Sequence, residues 1–92
     1  MGERVAVWVF HGNEARFASG VFASREAGLE WARRHAVTGL LTEYPVGDGC
    51  YDIALRDGHF RPTRPHHGTA EHVAAFSPGW TSHVHISDGH AS

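Results

Sequence analysis

Arg4-Val5-Ala6-Val7-Trp8-Val9-Phe10-His11, followed by the turn pair Gly12-Asn13, is the stretch from which the fold is read. In an extended chain the side chains alternate, so Val5, Val7 and Val9 share one face while Ala6, Trp8 and Phe10 share the other. Both faces are apolar, the pattern of a central strand covered on both sides. Gly12-Asn13 turns the chain, and Gly20-Val21-Phe22 offers a second, shorter strand. The two are expected to pair as an antiparallel hairpin with an irregular loop.

Beyond this hairpin, Ser24 is a good helix N-cap, and Glu26 places an anion in the first turn. On a helical projection Ala27, Leu29, Trp31, Ala32 and Ala36 form an apolar arc, with Glu30, Arg33 and Arg34 opposite. This main helix is expected to pack on the sheet through Trp31, with Trp8 or Trp80 nearby. Residues 37–44 read as the next strand, stopped by Pro45. Asp48 is placed to cap a second helix over residues 49–57, with Gly58 at its C′ position. Residues 59–68 contain two prolines and a glycine and read as a loop of extended character. Thr69 caps a short helix that ends before Pro78-Gly79.

In residues 80–87, Trp80, Val84 and Ile86 alternate with Thr81, His83, His85 and Ser87, giving a strand with one core face and one polar face. Residues 88–92 read as a loose tail. The expected fold is α+β: a small, mostly antiparallel sheet of three to four strands packed with one main helix and one or two short helices. One domain is expected to span residues 1–92.

Ninety-two residues suffice for one core and leave few side chains to spare for a cavity. A surface site, a shallow cleft or a site shared between two subunits is therefore expected. Eight arginines and no lysine oppose ten acidic residues, a formal charge of −2. That balance lacks the basic field of a nucleic-acid binder. The absence of lysine beside abundant Ala, Gly and Arg reads as the product of a GC-rich, bacterial genome. The single Cys50 cannot form an internal disulfide. With no apolar run of signal-peptide or membrane-spanning length, a cytoplasmic protein that engages no membrane is expected.

The strings Val7-Trp-Val-Phe-His-Gly12, Gly20-Val-Phe22, Leu41-Thr-Glu-Tyr-Pro-Val46 and Tyr51-Asp-Ile-Ala-Leu55, with His66-His67 and His83-Val84-His85, carry a resemblance over nearly the whole chain. The chain resembles a family of short bacterial proteins that bear only a domain-of-unknown-function label. The resemblance implies a free-standing bacterial domain. It brings no activity, substrate or catalytic residue with it.

Nine histidines in this length are the outstanding chemical feature. Imidazole binds zinc, nickel, copper and iron and titrates near neutrality. His83 and His85 are two apart on a strand, so both point to one face and can converge on one ion. Such a pair is half a site. Further donors are sought in His11, at the exit of the first strand, and in His66 and His67 of the Pro-rich loop. His72, Asp88 and Asp52 are weaker choices. The plainer account of all these histidines is a solvated sheet face and a solvated loop.

His35 is read as a packing residue at the end of the main helix. Cys50 falls in the first turn of the second helix, where the dipole can lower a thiol pKa. The plainer reading makes it a small apolar residue beside Ile53 and Ala54. Arg61 and Arg64 form the one cationic patch. No catalytic set and no phosphate-binding glycine motif is present, so no catalytic residue is assigned. The leading expectation is a non-enzymatic accessory, regulatory or immunity-type domain that binds another protein and forms a homodimer. The alternative is a histidine-based metal-binding domain, holding zinc or another transition metal, with a small metal-dependent enzyme as its extension.

Overall fold

A computed structural model describes residues 5–92. The first strand runs where alternation put it, as β1, Ala6–Gly12, and pairs antiparallel with β2, Gly20–Phe22. On its other side β1 pairs with β3, Gly39–Pro45, which pairs in turn with β4, His83–Ser87. The chain then returns as β5, His90–Ala91, giving a five-stranded antiparallel sheet in the order β2-β1-β3-β4-β5. Three to four strands were expected. The difference is the tail: Asp88 and Gly89 both take positive φ, 50° and 86°, and form the two-residue turn of a β-hairpin. Residues 90 and 91 are thereby drawn onto the sheet edge.

Ser24 caps α1, Arg25–His35, its Oγ accepting from the Ala27 amide at 3.1 Å. The helix lies on the face that carries Trp8 and Phe10. Trp8, Phe10, Ala32, Leu41 and Ile86 make the core, with Phe22, Leu29, Trp31, Val37 and Val84 packed around it. Trp31 does pack on the sheet, and its ring partners are Phe10 and Phe22, each at 5.4 Å. Trp80 lies outside the strand it was expected to open and stacks instead on His59, with ring centroids 4.9 Å apart. The close approach of α1 to β3 depends on Gly28, where a Cβ would fall 2.8 Å from a methyl of the fully enclosed Leu41.

A second lobe contains α2, Cys50–Asp57, the Pro-rich loop and α3, Ala70–Ala74. Asp48 does not cap α2. Gly49 occupies the N-cap without a side-chain bond, and Asp48 pairs with Arg56 at 2.8 Å. Thr69 caps α3 as expected, accepting from the His72 amide at 3.2 Å. Tyr51, Phe60 and Phe76 bring their rings together at 5.1–6.0 Å, and Ile53 and Ala54 are buried.

The opposite face of the sheet is set by the same registers. It carries Val7, Val9 and His11 of β1, Val21 of β2, and Leu40, Thr42 and Tyr44 of β3. His83, His85 and Ser87 of β4 and His90 of β5 complete it. Coverage on both sides was expected for β1, yet Val7 and Val9 are only half-buried and Val21 is 66 % exposed. Among the described helices, α1 is the one that packs broadly on the sheet, and it does so on the inner face.

Candidate functional site

Strand parity places His83 and His85 together on the outer face, because Val84 and Ile86 between and after them belong to the helix side. Both imidazoles are exposed, with ring centroids 5.3 Å apart and planes 84° apart. Thr42 stands opposite His83, and Leu40 opposite His85. Residues 77–79, which follow α3, overhang this area. The result is a shallow cleft of about 220 Å³, lined by Leu40, Thr42, Tyr44, Ser77, Pro78, Gly79, His83 and His85. The cleft therefore combines an apolar floor with two imidazoles and hydroxyl groups from Thr42, Tyr44 and Ser77.

His11 is on the same face, opposite Leu40 and so one strand further from His85. His66 and His67 gather elsewhere, with His72: their ring centroids are 4.4, 4.9 and 5.7 Å apart. Nitrogen chemistry decides what this second cluster can do. Nδ1 of His67 accepts from the amides of Thr63 and Arg64, at 2.9 and 3.2 Å. Nδ1 of His72 accepts from the Gly68 amide at 3.1 Å. An amide can only donate, so each of these rings carries its proton on Nε2 and has no lone pair left for an ion. Desolvation, with His66, His72 and Arg64 close by, holds the His67 pKa below the ordinary imidazole value. His67 and His72 thus fasten the Pro-rich loop, packed against Phe60 and Tyr51.

Among the described residues, no three or more histidine, cysteine, aspartate or glutamate side chains gather closely enough to hold a metal ion. The pair His83 and His85 thus offers two donors. Cys50 is half-buried, and desolvation pushes its thiol pKa up. A raised thiol pKa suits a small packing residue. His35 packs its ring against Trp31 at 5.4 Å, which agrees with the structural role read for it. The loop-fastening roles of His67 and His72 and the stacking of His59 on Trp80 were not foreseen. No local pattern signals them, since each depends on how the Pro-rich loop closes.

A family model described as a domain of unknown function, DUF7710, matches residues 7–92. The chain belongs to this DUF7710 family. The match takes in all of α1, α2 and α3, and the sheet from within β1 to the end of β5. No curated protein and no solved structure matches the chain. DUF7710 membership therefore carries no activity.

Proposed function

We propose that the domain is a non-enzymatic interaction module whose contact surface is the outer face of the sheet, and that its first partner is a second copy of itself. One observation carries this reading. Among the described strand positions facing outward, none is Asp, Glu or Arg, although the chain holds 18 charged residues in 92. A solvated sheet face normally alternates charged groups into water, whereas the centre of an interface is depleted of them. The face instead presents valines, one of them two-thirds exposed, beside imidazoles and hydroxyls. Apolar side chains mixed with uncharged polar groups are the composition of an interface centre. The short edge strands β2 and β5 leave room for the contact to extend around the sheet.

This reading supports an accessory, regulatory or immunity-type role, performed by contact, in a bacterial cytoplasm. The lone free thiol of Cys50 fits a reducing compartment. Val21→Glu tests the surface. The site is exposed, so the variant folds with unchanged melting, and sedimentation shows loss of association. Ala27→Glu, on the exposed side of α1, is the control and associates as wild type does. Equal association of both variants removes the outer face as the contact surface.

A second reading is favoured by the imidazole spacing. Two imidazoles bound to one tetrahedral zinc at about 2.0–2.1 Å have ring centroids roughly 5 Å apart. His83 and His85 stand at 5.3 Å. The domain on this reading binds a transition metal through His83 and His85, with His11 the nearest of the other proposed donors in strand register. Tag-free protein that takes up zinc, and loses that uptake on His85→Ala, supports it; absence of uptake removes it.

A further inference from the structure

His83 and His85 have the spacing of metal ligands and half the number that a closed zinc site needs. No third donor gathers beside them among the described residues. In the separate cluster of the Pro-rich loop, the Nδ1 atoms of His67 and His72 are already taken by backbone amides. We infer that a second copy of the chain supplies the missing half, so that one divalent transition-metal ion is held between two outer faces by His83 and His85 of each copy. The inference rests on the metal-binding reading above and names the partner that completes the site.

Symmetry provides the donor count. A two-fold contact brings the same patch of both copies together, so a patch with two imidazoles becomes a site with four. Four neutral nitrogens around one ion satisfy tetrahedral zinc, and imidazole is a ligand equally suited to nickel and copper. The strand neighbours of the pair suit such a contact. Thr42 and Leu40 stand beside the pair in register, and neither is charged. With no Asp, Glu or Arg at the described outward strand positions, two copies meet there without leaving an unpaired strand carboxylate or guanidinium buried between them. The imidazoles are exposed, so the ion has a path in before the faces close. A chain of 92 residues with few side chains to spare gains its metal cage by sharing it.

The test is a zinc titration of metal-free, tag-free full-length protein, read by bound zinc per chain and by molar mass in light scattering. The expected result is one zinc per two chains, with the dimer tightened roughly tenfold or more by the ion. Binding should fade below about pH 6, where imidazole takes up protons in competition with the metal. His83→Ala and His85→Ala should each lose the zinc response while keeping the wild-type circular dichroism spectrum, and His66→Ala should retain it. One zinc per chain on a monomer overturns the shared site and leaves the metal reading standing. A dimer that forms identically without zinc uptake overturns both, and leaves only the docking surface. Retention of the half-equivalent response in His85→Ala also overturns the assignment.

Discussion

Trp31 joins three elements through one side chain. It rises from α1 and meets Phe10 of β1 and Phe22 of β2, each at 5.4 Å, with His35 on its remaining flank. Truncation would leave a void that Phe10, already fully enclosed, cannot move to fill. Trp31→Ala should cost about 3 kcal/mol, a large part of the stability of so small a domain. Urea unfolding checks this; a midpoint within error of wild type would mean that the helix is docked differently. Ala36 gives the opposite prediction. It ends α1 at φ 54°, in the left-handed region that disfavours a Cβ. Ala36→Gly should therefore raise stability by about 0.5–1 kcal/mol, seen as a higher denaturant midpoint. Trp31 and Ser24 were legible in the sequence, because apolar period and capping chemistry are local properties. Asp48 was not. Its carboxylate had two chemical uses in reach, a cap or an ion pair, and only the folded position of Arg56 chose between them.

At the scale of elements, the Pro-rich loop is fastened through the Nδ1 acceptor of His67 and should loosen in acid. The folded pKa of His67 lies below its unfolded value, so in the interval between them the unfolded chain binds more protons. The stabilisation is thus fully present above the unfolded pKa, near 6.5, and is lost as pH falls from there through the lowered folded value. Protonation of Nδ1 also replaces an acceptor by a donor facing the Thr63 and Arg64 amides. Amide-exchange protection at Thr63 and Arg64 should fall between pH 7 and pH 5, while that of β1 should not. Unchanged protection at those two amides would refute the fastening.

The β4–β5 hairpin shows how an element was missed. Asp-Gly is a strong two-residue hairpin signal, but residues 90–92 are too few and too polar to read as a strand alone. The turn is held by the Asp88 amide to Thr38 Oγ1 at 2.9 Å and the Gly89 amide to the Val37 carbonyl at 2.8 Å, both from a distant segment. Gly89→Ala should destabilise by about 1–2 kcal/mol, since φ is 86° and its Cβ would lie 3.0 Å from the Ala32 carbonyl oxygen. Thermal melting checks that value, and no loss would place Gly89 outside the turn.

Across the whole molecule, the sheet is a two-sided object with one helical layer. The inner face was readable from Trp8, Phe10, Val84 and Ile86, and so was the shared direction of His83 and His85. The openness of the other face was not, because Val7 and Val9 are as apolar as any buried strand. Apolar residues on an open face and in a core have the same pattern; what separates them is which surface finally covers them. Among the described strand positions no Asp, Glu or Arg faces outward, and the cover proposed for this face is a second copy of the chain. Molar mass by light scattering, on tag-free protein at high micromolar concentration, tests this most directly. The account predicts a mass near twice the 10.1 kDa of one chain for wild type, and a single-chain mass for Val21→Glu. A wild-type mass of 10.1 kDa throughout, with and without zinc, would contradict it.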